Sequence, residues 1–182
     1  MLEAIKKNRP EAIKKMVSNG VSVNEAMDRK MQTALHIAIH RGKLESVKAL
    51  ISLGADVNAR AAKKRTPLYY AAKFDQTGQV TGYLVEAGAD VEKRNSSRDT
   101  PLITALIALN IETMKTLLES GCNVDATDKY GMTALHLAVN FNKMDMIKLL
   151  LKHGASADIK DKSGTTAMES ADRQVDKTVT EI

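Results

Sequence analysis

The sequence has no tryptophan and few aromatic residues of any kind: four tyrosines and two phenylalanines in 182 residues. Its core must therefore be built from Leu, Ile, Val, Met and Ala, a set that fits helices better than sheets. Cysteine is nearly absent too. Cys122 stands alone, which excludes an intrachain disulfide and suits a reducing compartment. Long apolar runs are missing: "PLITALIAL" at 101–109 is about half of what a membrane span needs. The opening "MLEAIKKNRPEAIKKM" is too charged for a signal peptide. These absences lead to an expected cytoplasmic or nuclear location. What remains is 43% hydrophobic and 27% charged, too apolar for disorder and enough for one globular domain with a substantial core.

What is present is repetition. Thr33-Ala34-Leu35-His36, Thr66-Pro67-Leu68-Tyr69, Thr100-Pro101-Leu102-Ile103, Thr133-Ala134-Leu135-His136 and Thr166-Ala167-Met168-Glu169 follow one another at spacings of 33, 34, 33 and 33. Gly20, Gly54, Gly88, Gly121 and Gly154 keep the same register. So do "ADVNAR" at 55–60, "ADVEKR" at 89–94 and "CNVDAT" at 122–127. Three markers on one period exclude accident.

Each marker has a physical meaning. Threonine is a good helix N-cap, and proline at the first helical position lacks only an N–H that would be unpaired anyway. Pro10, Pro67 and Pro101 can all sit at helix starts. The glycines follow apolar runs such as "VKALISLG" and "MIKLLLKHG", where a left-handed residue ends a helix at least cost. "DKYG" at 128–131 and "DKSG" at 161–164 are turn sequences placed before the next threonine. Each unit reads turn, short helix, tight turn, second helix, glycine stop. Neither helix can bury its apolar face alone, so the units must stack.

This pattern resembles the ankyrin repeat, whose signature is T-P-L-H-x-A on a 33-residue period. The resemblance covers nearly the whole chain. It implies an all-α solenoid of stacked helix-turn-helix units joined by turn or β-hairpin tips, forming a single domain over 1–182. The expected units are a partial N-terminal repeat at 1–26, full repeats at 27–60, 61–94, 95–127 and 128–160, and a partial C-terminal repeat at 161–182. The polar end units suit capping of the stack, and equally suit a fragment of a larger protein. In the last unit the signature degrades to "TTAMESA", and a second helix has only "QVDKTVTEI" to form from. Repeat two carries an extra residue around "KFDQTG", which lengthens the turn between its helices. Gly82 falls inside its second helix beside Thr81, and the pair marks a locally weak helix. Leu109 and Asn142 stand where the family usually has glycine between helices.

No catalytic or cofactor signature is present: no phosphate-binding glycine loop, no H-E-x-x-H, no G-x-S-x-G. The chain is read as a non-enzyme without cofactor or metal. His36 and His136 lie where the family uses histidine in a structural hydrogen-bond network. His40, four residues after His36, can share a helix face with it, but no further ligand repeats the spacing. Cys122 replaces the alanine seen at Ala55, Ala89 and Ala155 and reads as a small buried residue. "LISLGADVNAR" resembles the substrate motif of the asparaginyl hydroxylase that modifies ankyrin repeats, with Leu50, Asp56 and Asn58 matching. Asn58 is thus a candidate modification site. The other reading is that it ties its hairpin together.

With no site for chemistry, function is expected on the surface. The family's partners usually bind the concave face, formed by turn tips and the outer side of each first helix. Carried onto this sequence, that face holds Arg29, Lys30, Gln32, His40, Arg41, Lys63, Arg65, Lys73 and Phe74 early. Later it holds Asp99, Ile107, Tyr130, Met132, Asn140 and Phe141. The early half is basic: residues 1–94 hold 17 Lys/Arg and 10 Asp/Glu, whereas residues 95–182 hold 10 and 12. Phe74, Ile107, Tyr130 and Phe141 are expected to form one apolar patch beside the basic strip, as an interface core requires.

The leading expectation is a monomeric protein–protein interaction module that holds an acidic segment with an apolar anchor. The alternatives are a receptor for an anionic ligand (a nucleotide, an oligonucleotide or a phosphoinositide) and a regulatory or inhibitory domain of a larger protein. Nucleic acid is disfavoured because only Phe74 stands near the basic strip for base stacking.

Overall fold

The computed structural model describes residues 1–171. Ten complete α-helices run through them as five helix-turn-helix pairs. These are α1 (Leu2–Lys6) with α2 (Pro10–Ser18), α3 (Ala34–His40) with α4 (Leu44–Ser52), and α5 (Pro67–Phe74) with α6 (Gln79–Glu86). They continue with α7 (Pro101–Ile107) and α8 (Ile111–Glu119), then α9 (Ala134–Asn140) and α10 (Met144–Lys152). A further helix begins at residue 167. The helix expected over "QVDKTVTEI" lies outside the described residues. No strand occurs among the described residues. Only isolated bridges close three of the tips, at Ala61–Arg65, Thr127–Thr133 and Lys160–Thr166.

The threonines start the helices as expected. Thr66, Thr100, Thr133 and Thr166 each accept from the backbone N–H three residues on, at 3.2–3.4 Å, which satisfies one orphan amide of the first turn. At the other end, the glycines of the second series take φ between 78° and 88° and turn the chain out of each second helix.

Stacking buries one leucine row per layer. Leu35, Leu68, Leu102 and Leu135 line the first helices, and Leu50, Leu84, Leu117 and Leu150 the second, all at most 3% exposed. Each such side chain contributes about 1.5–3 kcal/mol of burial. Ala71, Ala105 and Ala138 are fully buried and let neighbouring first helices approach. The helices α3, α5, α7 and α9 pack in sequence as an inner row, and α2, α4, α6 and α8 as an outer row.

Two hydrogen-bonded ladders run across the stack. In the loops that follow the second helices, Asn24, Asn58, Glu92 and Asp125 each accept from a backbone N–H one unit further on, at 2.7–2.9 Å. Along the tips, Ala62 N–H donates to Lys30, Ser96 N–H to Lys63 and Lys162 N–H to Tyr130. Between the tips around 97 and 130 a side chain takes over: the Arg94 guanidinium donates to the Arg98 and Thr127 carbonyls. Asp28, Asn95, Asp128 and Asp161 brace their tips by accepting two backbone amides each. The second tip has Ala61 at that position, and there Lys63 and Lys64 are both left-handed, with φ of 60° and 56°.

The third pair, α5 with α6, has the longer turn that its extra residue implies, over residues 75–78. Gly78 ends it with φ 73°, and a Cβ there would meet Thr116 Oγ1 at 2.6 Å, so only glycine fits against α8. The reading of Thr81 as a weak point needs correction. Thr81 is fully buried, and both its N–H and its hydroxyl donate to the Asp75 carboxylate, at 2.9 and 3.1 Å. The Asp75 carbonyl accepts in turn from Asn110 and Thr113 of the next pair. The longer turn is a buried polar joint, not a defect.

Candidate functional site

The inner face of the third pair is set by its "TPLYYAAK" segment. Thr66 and Pro67 fix where α5 begins, which puts Tyr69 and Tyr70 in its first turn and Lys73 and Phe74 in its last. Tyr69 occupies the position held by His36, Ile103 and His136 in neighbouring pairs, where those side chains are essentially buried. Its phenol is instead half-buried. The Arg65 guanidinium lies over the Tyr69 ring, 4.9 Å from the centroid. Burial pushes the Tyr69 phenol up from its ordinary value, and the Arg65 charge partly opposes this. Lys73 Nζ stands 5.5 Å from the Phe74 centroid, and His40 meets the same ring edge-on at 4.5 Å. Tyr70 lies behind them, its hydroxyl accepting from Gln32 Nε2 at 2.7 Å.

These side chains enclose a cavity of about 170 Å³ lined by Lys30, Gln32, His40, Arg65, Tyr69, Tyr70, Lys73 and Phe74. A second cavity of about 300 Å³ shares Tyr69 and Lys73 with it and continues over Asp99, Thr104, Ile107 and Ala108. Together they form a groove from the first tip toward α7. Its cations carry no carboxylate partner among the described residues. The ion pairs among the described residues join residues three apart elsewhere, at Lys6–Glu3, Lys14–Glu11, Lys48–Glu45, Lys93–Asp90 and Lys115–Glu112.

Arg65 is held from behind. Its carbonyl accepts from Ala61 N–H at 2.9 Å and from the imidazole of His36 at 3.2 Å. The tautomer follows from the partners. A carbonyl can only accept, so His36 Nε2 carries the proton. The Thr33 amide can only donate, so Nδ1, 3.2 Å from it, is bare. Burial lowers the His36 pKa and favours this neutral form. With both ring nitrogens engaged, His36 has no lone pair for a metal beside His40. His136 repeats the arrangement with Thr133 and Thr165.

Of the residues expected on this face, the groove brings together Lys30, Gln32, His40, Arg65, Lys73, Phe74, Asp99 and Ile107. Arg29, Arg41, Lys63, Tyr130, Met132, Asn140 and Phe141 line neither cavity. Arg29 and Lys63 sit exposed on tips, and Arg41 follows α3. Tyr130 is 57% exposed beneath Lys129, Met132 packs partly against the core, and Asn140 and Phe141 end α9. The expectation that Phe74 alone offers a ring to the basic strip is corrected by Tyr69 and Tyr70. The Asn58 side chain does not tie its own hairpin but joins its unit to the next: Nδ2 donates to the Gly88 carbonyl at 3.1 Å, and Oδ1 accepts from Asp90 N–H at 2.8 Å. Burial pushes the half-buried Cys122 thiol up to about 12, so it is not a nucleophile at neutral pH.

A family model of ankyrin repeats in three copies matches residues 1–95 and 106–177. Among solved structures, the crystal structure of EF0377, an ankyrin repeat protein, is similar at 32% identity and a TM-score of 0.86. The match covers 96% of this chain and 90% of that one. Comparison with curated proteins gives no match.

Proposed function

The chain belongs to the ankyrin repeat family, a fold of general protein-interaction modules, and from that premise we propose that it binds a partner protein along the groove on α3, α5 and α7. The partner presents an acidic group to Lys30, Arg65 and Lys73 and an apolar residue to Ile107. The observation that carries this reading is the convergence, around one aromatic-walled cavity, of three cations without carboxylate partners among the described residues. Such cations steer an acidic ligand from a distance and hold it by charge-assisted hydrogen bonds. The adjoining apolar wall supplies the anchor that residence time needs.

A nucleic-acid ligand fits less well, even with three rings in place. Arg65 covers the Tyr69 face and Lys73 stands over Phe74, while Tyr70 is only 6% exposed. The rings hold cations in position and leave little face for a base to stack on. At about 170 Å³ the basic cavity is also smaller than a drug-sized site, which suits one side-chain head group.

Selection of a random displayed peptide library on the immobilised protein tests the reading. The expected winners carry an acidic residue close to an apolar one, and they are lost on the Lys30→Glu, Arg65→Glu double variant. Winners without acidic residues, or winners that bind the double variant equally, would remove the groove as the site.

A further inference from the structure

The interaction-module reading leaves the chemistry of the acidic group open, and the cavity constrains it. Lys30, Arg65 and Lys73 repel one another around a space for one head group. A carboxylate supplies one negative charge and leaves the cluster with a surplus. A phosphate monoester supplies about two charges and three acceptor oxygens. The arginine is prepared for such a ligand. His36 and Ala61 hold its carbonyl, and the Tyr69 face orients its planar donor fork, so little freedom is lost on binding.

The second cavity argues that the charge is a single point and not a run. Asp99 lines it next to Lys73, and the Asp99 carboxylate accepts from Asn95 Nδ2 at 2.9 Å. A second anionic group placed beyond Lys73 would face that carboxylate. A neutral residue there would instead lie on Ile107 and Ala108. A continuous polyanion meets attraction followed by repulsion, whereas one phosphorylated residue with an uncharged neighbour meets neither conflict.

We propose that the cavity between Lys30, Arg65 and Lys73 receives one phosphoserine or phosphothreonine side chain of a partner protein, with the adjacent uncharged residue lying over Ile107. This rests on the interaction-module reading and narrows its partner to a phosphorylated segment.

The test uses three degenerate peptide libraries on the whole protein, identical except for a central phosphoserine, serine or glutamate. Selected peptides are then titrated by fluorescence anisotropy. The phosphoserine form is expected to bind at least about tenfold tighter than its serine form, the equivalent of one good charge-assisted contact. Arg65→Gln and Lys73→Gln are each expected to remove most of that difference, and Lys148→Gln on the outer helix α10 to leave it. Circular dichroism of each variant establishes that it is folded. Equal binding of the glutamate and phosphoserine forms, both tighter than the serine form and both lost in Arg65→Gln, overturns the phosphate inference and leaves the acidic-segment reading standing; equal binding of all three forms overturns both. Absence of binding by all three libraries, or binding indifferent to Arg65 and Lys73, overturns both. Binding of phosphatidylinositol-bisphosphate vesicles or a single-stranded oligonucleotide through Arg65 and Lys73, without phosphopeptide binding, also overturns the inference.

Discussion

The imidazole Nε2 of His36 donates to the carbonyl oxygen of Arg65 across the junction between two helix pairs, at 3.2 Å. A fully buried core residue therefore positions the backbone of the groove's central cation. Stability and binding are linked at this one bond.

Burial of the His36 imidazole sets a pH dependence, which the bond to Arg65 only partly opposes. The folded His36 pKa lies below its ordinary 6.5, chiefly through burial. Between the two values the unfolded chain binds a proton that the folded chain does not, so stability rises with pH across that window. The contribution is complete above 6.5 and is lost as pH falls from 6.5 through the folded pKa. Urea melts at pH 7.5, 6.5 and 5.5 are expected to show falling midpoints, and His36→Gln to flatten the trend. A trend unchanged by His36→Gln would assign it elsewhere. His36→Ala leaves the buried Thr33 amide without its partner and takes one of two donors from the Arg65 carbonyl, and is expected to cost about 2–3 kcal/mol at pH 7.5.

Gly82 lies inside α6, and a Cβ built there meets only Thr116 Cγ2, at 4.0 Å. Alanine fits without displacing anything and restricts the unfolded chain. Gly82→Ala is expected to stabilise by about 0.5–1 kcal/mol, read from the denaturation midpoint. Destabilisation would mean that α6 and α8 need closer approach than the structure shows. Gly78, four residues earlier, is the contrast: its φ of 73° and the 2.6 Å approach to Thr116 Oγ1 make Gly78→Ala destabilising.

Leu109 occupies the turn between α7 and α8 with φ 55°, a conformation that costs a bulky residue about 1–2 kcal/mol. Its side chain is 46% exposed, so little burial offsets that cost. Leu109→Gly is expected to gain about 0.5–1 kcal/mol after the added unfolded-state entropy is counted. The reverse change at the matching turn, Gly42→Leu, is expected to destabilise. If both changes destabilise, the Leu109 side chain has a packing role that outweighs its backbone strain.

Sequence features differ in how far they determine these details. Threonine caps and stop glycines recur five times and each leucine row four times, and all act over a few residues, so the helix positions could be read directly. The joint at Asp75 could not. The extra residue near it is visible, but that its carboxylate accepts from Thr81 depends on how the longer turn closes. Tyr69 was hidden for a related reason. It sits at a core position of the repeat, and only its size, set against His36, Ile103 and His136, turns it toward the groove. Residues on the tips and helix ends, such as Arg41 and Phe141, share a face by repeat position. Which of them share a cavity depends on side-chain reach that the period does not encode.

The groove predicts a separation of rate effects. Lys30 and Arg65 act at long range on an acidic partner, so Lys30→Glu with Arg65→Glu should slow association and weaken its salt dependence. Ile107 and Phe74 are 50% and 37% exposed and apolar, so their contribution begins only after contact. Ile107→Ala or Phe74→Ala should mainly speed dissociation, costing about 1–3 kcal/mol if the side chain is an anchor. Lys14 and Lys148 lie exposed on outer helices α2 and α10. Lys14→Glu with Lys148→Glu changes the net charge by the same amount as the groove pair and controls for it. Surface plasmon resonance at two salt concentrations, with a peptide from the library selection, separates the terms. Equal losses from the outer-helix pair and the groove pair would mean that net charge alone draws the partner. Losses confined to the groove pair, with an association-rate part that shrinks as salt rises and a dissociation-rate part from the lost hydrogen bonds, are what a preformed cationic cleft beside α5 requires.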